Sequence, residues 1–379
     1  MQIILLILIF IRPLISSLAF PSLSYLYVVF LLTFLIFYLI YKNIPLDKLL
    51  YIKYPLVIYF LSLAISIFFS IDKLKSFDLM YRYIAALYLF VICATLDLKN
   101  KPHFINTIIY SALIISLMAI YQYFFGFQHL LDYMSRNKII EPFVLDYISQ
   151  KRVFFPFVTP NILGCYLSMA VPLCLINKKT YLLILPISIA LLLTKSIGAI
   201  LSLLIGLIVY FYLLHKLNRK VIIVLATILL IIGLIFILRS NTQKQHIQPI
   251  FSIAMRLSYW KYSLMIIKRY ALSGVGLGNF NLPQCRYAHN SYLQIWAEMG
   301  ILGITSILWL ILTILKFGLN SLKTNSNKIE ISGLFTANIV FLTTNSVDFG
   351  FFLPEVVFIW WVILGLLYSS ACTIQNQSI

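Results

Sequence analysis

Long apolar segments separated by short polar connections run along almost the whole chain. Twelve of them predict membrane-spanning helices, near residues 2–20, 21–41, 54–71, 80–96, 104–125, 160–177, 181–195, 198–215, 221–238, 299–317, 331–349 and 353–370. Most approach the roughly 20 residues that a helix needs to cross a bilayer. The pattern therefore predicts an all-α fold, a polytopic integral membrane helical bundle of about 12 transmembrane helices, formed by residues 1–379 as a single integral membrane domain.

Composition and charge support this prediction and exclude a water-soluble protein. Of the 379 residues, 62% are hydrophobic and only 11% are charged, whereas soluble domains carry roughly 25% charged residues. The 29 Lys and Arg outnumber the 11 Asp and Glu, which gives a net charge of +18. These cations lie mostly in short connections between apolar segments. They therefore predict membrane orientation, with both termini on the cytoplasmic side, and argue against nucleic acid as a partner.

The first apolar segment is interrupted by Arg12-Pro13. Almost no cationic residue precedes its apolar run, so we expect a membrane span there and not a cleaved signal peptide. A charge in the middle of a span is costly unless it faces the interior of the bundle, and we expect Arg12 to do so. The five cysteines show no framework spacing, so no structural disulfide is expected.

Two stretches on the predicted outer side are long enough to carry chemistry. They are residues 126–159 and the large loop of residues 239–298, which joins predicted spans nine and ten. Within the large loop, residues 250–270 are typical of an amphipathic helix that lies in the membrane interface. The side chains expected to enter the bilayer edge are Phe251, Met255, Trp260, Leu264 and Ile267. The alternative is a plain connector anchored at the surface.

Three closely spaced glycines, Gly274, Gly276 and Gly278, superficially suggest a phosphate-binding loop. A dinucleotide site is disfavoured because no strand–helix–strand unit surrounds them. Two interpretations stay open. Either the backbone of this loop approaches a ligand, or it packs tightly against neighbouring helices.

His289 stands immediately before the next apolar segment, at the predicted outer surface. An imidazole with a pKa near 6.5 is suited to take a proton from a sugar hydroxyl, although a lone histidine often only donates a structural hydrogen bond. Arg152, Arg256 and Lys195 lie near the same surface. Arginine binds phosphate oxygens bidentately, so lipid headgroups are the expected anions, with non-specific headgroup contact as the alternative for Lys195. No outer loop shows metal-ligand spacing, so no metal is predicted.

Several short motifs follow one another in the second half of the chain. In order they are Arg152 before Pro160-Asn161, LLLTKS at 191–196, Arg256 with Trp260, GVGLGNF at 274–280, AHNSYLQ at 288–294, Glu298 with Gly300 and Gly303, and a terminal pair of spans with Asp348, Phe351, Pro354 and Trp361. This order resembles the O-antigen ligase and O-antigen polymerase superfamily of bacterial membrane proteins. The resemblance covers residues 150–365, and AHN-x-Y-L followed by E-x-G-x-x-G is its specific part.

The resemblance implies a glycosyltransferase of lipopolysaccharide biosynthesis that uses neither metal nor cofactor. It implies a multi-pass protein of the bacterial inner membrane with its active site on the periplasmic side. The donor would be a glycan linked to undecaprenyl diphosphate, and the acceptor lipid A–core or another glycan. Carried over residue by residue, the resemblance makes His289 catalytic and gives substrate binding to Arg152, Arg256, Lys195, Asn290 and Tyr292.

One position departs from the family pattern. Where the family commonly continues its LLLTxS turn as S-R-G-A, this chain has Ser196-Ile197-Gly198-Ala199. Lys195 cannot simply replace the missing arginine, because a shift of one or two positions along a helix rotates a side chain by about 100–200°. Either Lys195 reaches the site differently, or the phosphate site depends on Arg152 and Arg256.

The sequence leaves the type of transfer open. We expect an O-antigen ligase, and the nearest alternative is an O-antigen polymerase, which joins lipid-linked repeat units and shares the same motifs. A protein O-oligosaccharyltransferase is a third member of this group. The alternative from a different class is a lipid-linked glycan transporter or flippase, which the intramembrane Arg12 would suit.

Overall fold

The computed structural model describes residues 1–42, 45–241, 248–282, 285–324 and 327–375, and no strand occurs among them. The helices are α1 Gln2–Ile11, α2 Pro21–Tyr41, α3 Lys53–Phe68, α4 Lys73–Ala94, α5 Lys101–Tyr121, α6 Phe127–Arg136, α7 Pro142–Ser149, α8 Pro160–Cys174, α9 Ile184–Thr194, α10 Ile197–Leu213, α11 Arg219–Ser240, α12 Pro249–Arg269, α13 Ser291–Thr324, α14 Lys328–Thr344 and α15 Pro354–Gln375. The predicted all-α membrane bundle is confirmed.

Each of the twelve predicted spans coincides with a helix, and seven helical stretches in the described part of the chain are long and apolar enough to cross a membrane. The total of twelve crossings stays a prediction. The first helix is shorter than predicted. It ends at Ile11, and a 3-10 turn covers Arg12–Leu14, because Pro13 has no amide proton for a helical hydrogen bond.

Arg12 lies inside the bundle, as expected, with 1% of its side chain exposed. Its Nη2 is 3.4 Å from Glu355 Oε2 at the start of α15, and its Nη1 donates to the Ile15 carbonyl at 2.6 Å. The other Glu355 oxygen accepts from the Ser17 amide at 3.0 Å. A buried charge needs partners of this kind to be tolerated. The ion pair therefore fastens the N-terminal segment to the last helix.

The core is built around α15, whose membrane window is fully buried by α4, α13 and α14. The short helix α8 is also almost entirely enclosed. At the periphery, α11 buries only Ile232 and Ile235. Such an apolar outer face is what a bilayer would cover.

The glycine loop packs against a break in α13, as one of the two interpretations expected. At Gly300 the backbone takes φ 67° and ψ −168°, so helical hydrogen bonding stops there. The loop supplies replacements. The Val275 amide donates to the Ala297 carbonyl at 2.8 Å, and the Ile301 amide donates to the Ala271 carbonyl at 2.9 Å. The E-x-G-x-x-G motif thus marks a kink that the loop satisfies.

The amphipathic-helix prediction is confirmed in its bounds and only partly in its orientation. Helix α12 has Phe251 and Leu264 exposed. Ile267, however, is buried against Phe280 and Ala288, so it faces the protein and not the bilayer edge. Trp260 also turns inward. The 150–365 and 239–298 boundaries stay predictions.

We predict that Gly300→Ala destabilises the protein by more than about 2 kcal/mol, because alanine is strained at positive φ and its Cβ would overlap the Leu272 carbonyl. Thermal unfolding of detergent-purified protein measures the change. Gly233→Ala is the matched control, since nothing lies within 4 Å of a Cβ at that position of α11. Equal stability of the two variants would contradict this account of the kink.

Candidate active site

Six polar side chains gather at one end of the bundle from connections far apart in the sequence. They are Arg152 before α8, Lys195 at the end of α9, Arg239 at the end of α11, Arg256 in α12, His289 before α13 and Asp348 between α14 and α15. Electrostatic interactions link His289 to Arg256, and Asp348 to both Arg152 and Arg256. The structure therefore brings together the histidine and the two arginines that the sequence singled out.

Two aromatic rings contact the imidazole of His289, and a tryptophan holds its backbone. Its ring stacks on Tyr259 with centroids 5.9 Å apart and meets Phe349 edge-on at 4.9 Å. Its carbonyl accepts a hydrogen bond from Trp260 Nε1 at 3.3 Å. The histidine takes a positive φ of 49°, which turns the chain sharply before α13 begins. Because Tyr259 and Trp260 both belong to α12, the loop helix positions the candidate base.

Asp348 is the acidic neighbour of the imidazole. Its Oδ1 lies 3.8 Å from His289 Nδ1 and accepts from the Phe349 amide at 3.0 Å. At this distance Nδ1 makes no hydrogen bond, so the carboxylate favours a proton on Nδ1 through its charge alone, and that tautomer leaves Nε2 free to accept a proton. The sequence did not place Asp348 in the site. The sequence feature that could have pointed to it is that Asp348 is the single charged residue between positions 331 and 354.

The turn that carries Asp348 is tied to the start of α13. Ser291 Oγ lies 2.8 Å from Asn345 Oδ1 and donates to the Asp348 carbonyl at 3.0 Å, while the Ser291 amide donates to the Asn345 carbonyl at 2.9 Å. All of these groups are buried. These bonds fix the turn after α14 relative to the start of α13, although the two are distant in sequence.

Burial and charge shift both titrating groups of this pair. Burial, together with the Arg256 charge, lowers the pKa of His289 to about 3. Burial raises the pKa of Asp348 to about 6, although Arg256 opposes that shift. At neutral pH the imidazole is therefore neutral and the carboxylate ionised, which is the protonation state a general base requires.

Arg152 is a buried, preorganised cation. Its Nε donates to the Thr194 carbonyl and its Nη2 to Asn161 Oδ1, both at 2.9 Å. Two of its five N–H donors are used in this way, and three are left for an anion. Burial lowers the pKa of Arg152, and the nearby Arg239 and Arg256 charges lower it further. An anion among the three guanidinium groups would relieve that repulsion.

Arg239 is a cation that sequence reasoning missed, because it closes a long apolar helix where a basic residue is ordinary. Its Nη1 donates to the Lys195 carbonyl at 3.3 Å. The Lys195 ammonium itself donates to the Gln150 carbonyl at 2.6 Å. Of these two residues, Arg239 presents a guanidinium to the cluster, whereas the contact of Lys195 with Gln150 braces the turn after α9.

Asn290 and Tyr292 make contacts within the fold. Asn290 Oδ1 accepts from the Tyr292 and Leu293 amides, both at 3.1 Å, and so caps the start of α13. The Tyr292 hydroxyl donates to the Leu342 carbonyl in α14 at 2.8 Å. Their assignment to substrate binding stays a prediction.

A comparison with protein families identifies one domain. The family model described as O-antigen ligase matches residues 182–308, the segment from α9 to the middle of α13 that holds Lys195, Arg239, Arg256 and His289. No curated protein matches the chain. Residues 182–308 are thus similar to the O-antigen ligase family, and this match supports the superfamily that the motif order from residue 150 to 365 indicates.

Proposed function

We propose that this protein is an O-antigen ligase. It transfers a glycan from undecaprenyl diphosphate to lipid A–core on the periplasmic face of the bacterial inner membrane. The family model that matches residues 182–308 supports ligase- or polymerase-type glycan transfer in general. The observation that carries the proposal is an imidazole–carboxylate pair beside three guanidinium groups at one end of a membrane bundle.

In the proposed reaction, His289 Nε2 accepts the proton of an acceptor hydroxyl while the hydroxyl oxygen attacks the anomeric carbon of the donor. The bond between that carbon and the diphosphate oxygen breaks, and the electron pair leaves on the diphosphate. Arg152, Arg239 and Arg256 stabilise the negative charge that grows there. Asp348 holds the imidazole in the accepting tautomer and stabilises it once it is protonated.

The donor itself would strengthen the base. Part of the low pKa of His289 is due to the charge of Arg256. A bound diphosphate would offset that charge and raise the proton affinity of the imidazole. The base is then strongest when the donor is in place.

Arg239 could take the place of the arginine that the family commonly has at position 197, where this chain has isoleucine. Its guanidinium comes from α11 and approaches the turn between α9 and α10 by way of the Lys195 carbonyl. We infer that Arg239 supplies the third cation of the diphosphate site. Ile197 then marks a relocation of the charge and not its loss.

Within this proposal, the intramembrane Arg12 does not require a transporter, because it is paired with Glu355 in the interior.

The ligase and polymerase alternatives differ only in their acceptor. Purified protein is therefore incubated with lipid-linked glycan and, in separate reactions, with lipid A–core or with a second lipid-linked glycan. Transfer to lipid A–core supports the ligase, and transfer only to lipid-linked glycan favours the polymerase.

We predict that His289→Ala lowers the transfer rate by about 10²–10⁴-fold, the usual cost of removing a general base. The readout is glycan transfer by protein whose elution and thermal unfolding match the wild type. His129→Ala is the control, because His129 is an exposed histidine of the other outer loop. A His289→Ala protein that transfers at the wild-type rate would refute the mechanism.

A second prediction concerns pH. Because the pKa of Asp348 is about 6 and that of His289 is about 3, kcat/KM should rise with pH through about 6 as Asp348 ionises. Asp348→Asn should lower the rate and abolish this limb, since no carboxylate is left to titrate. If the limb near pH 6 persists in Asp348→Asn, another group controls it.

A third prediction tests the relocated cation. Arg239→Gln should weaken binding of undecaprenyl diphosphate by about 10- to 100-fold, the value of one charge-assisted hydrogen bond. Titration of detergent-purified protein measures the affinity. Arg136→Gln changes an exposed arginine of the outer loop and serves as control. Unchanged affinity in Arg239→Gln would remove Arg239 from the diphosphate site.

A further inference from the structure

A recess lined by different cations lies beside the candidate active site. It holds about 820 Å³ of empty space when its open mouth is included. Its polar wall holds Arg82 from α4 and Arg286 from the loop before α13, and its apolar floor includes Phe358 and Trp361 from α15. None of Arg152, Arg239 and Arg256 lines it.

Tyrosine side chains contact both arginines of this recess, and Glu298 interacts electrostatically with Arg286 over a longer distance. Arg82 Nε donates to the Tyr81 hydroxyl at 3.1 Å, and Arg286 lies over the Tyr287 ring at 5.6 Å. Neither forms an ion pair with a carboxylate of the described residues. Their charges are therefore available to an anionic ligand.

The one carboxylate that lines the recess is already engaged. Glu298 Oε2 accepts from the Gly278 amide at 2.8 Å, and its Oε1 accepts from Gln294 Nε2 at 2.9 Å. Gln294 Oε1 in turn accepts from the Ala288 amide at 3.0 Å, next to His289. This chain of bonds fixes the wall of the recess to the histidine motif.

One aromatic ring separates the recess from the candidate base. Tyr287, which lines the recess, stacks face to face on Phe349 at 4.2 Å, and Phe349 meets the His289 ring at 4.9 Å. A saccharide anchored in the recess would have to extend past Phe349 to present a hydroxyl at the imidazole. The donor cations are on other elements and would stay free for the diphosphate.

We propose that this recess binds the acceptor as an anionic saccharide, with Arg82 and Arg286 contacting a phosphate or carboxylate on the sugar and the aromatic wall contacting its apolar face. The acceptor role rests on the proposed function, whereas binding of the saccharide does not. The chemistry is shared by a phosphorylated lipid A–core and by an acidic lipid-linked repeat unit. The experiment separates these two sources.

The binding experiment uses the full-length protein in nanodiscs and two probes, phosphorylated core oligosaccharide and a uronic-acid oligosaccharide. Arg82→Gln and Arg286→Gln should each weaken binding of the charged probe by about 10- to 100-fold. The matched control is Arg269→Gln. Arg269 lies over Tyr270 at 5.6 Å, as Arg286 lies over Tyr287, but it does not line the recess. Binding of only the phosphorylated core, or only the uronic acid, identifies the source.

Phosphatase-treated core oligosaccharide is the second control. It should bind weakly and equally to the wild type and to both arginine variants. If the variants bind the charged probes as tightly as the wild type does, or lose the neutral probe to the same extent, the proposal is overturned. Because single arginine variants can misfold, Ala86→Trp is added. It fills the recess from α4 and should abolish binding while undecaprenyl diphosphate still binds.

Transfer kinetics separate this inference from the proposed function. Arg286→Gln should raise the acceptor KM and leave the donor KM unchanged. A raised donor KM with an unchanged acceptor KM would overturn the inference while the transfer activity stands. Probe binding that depends on Arg82 and Arg286, without glycan transfer by the wild type, would support the anion site and refute the transferase.

Discussion

The candidate site depends on the hydrogen bonds that join the start of α13 to the turn after α14. Ser291 and Asn345 form this junction entirely out of contact with solvent. A buried polar group that lacks its hydrogen bond costs free energy, so the two connections have one stable position relative to each other. That position places Asp348 beside His289, and without it the imidazole would have no acidic neighbour.

Backbone carbonyls at the end of α9 help several cations to lie close together around one carboxylate. Arg152 and Arg239 both donate to carbonyls of the turn after α9, at Thr194 and Lys195. Carbonyls at the C-terminus of a helix carry partial negative charge and accept such bonds. The backbone therefore offsets part of the repulsion, and the remaining positive potential favours an anionic ligand.

The sequence predicted what depends on local pattern. Apolar runs predicted the membrane helices, the amphipathic pattern predicted α12, and the AHN motif singled out the histidine before α13. Arg239 and Arg82 were not singled out, and Asp348 was named only as part of the terminal pair of spans, because the neighbours that bring these residues together are distant in sequence. The glycine loop left two interpretations open for the same reason. Its packing partner, the kink at Gly300, is visible only once α13 is seen to break.

A transferase that joins two anionic glycolipids must keep their negative charges apart while it brings a hydroxyl to an anomeric carbon. Two separate groups of guanidinium side chains meet this need better than one continuous basic surface, because each group neutralises its own ligand before the reacting atoms approach. In this fold the imidazole interacts directly with Arg256 of the first group, whereas Phe349 and Tyr287 lie between it and the recess.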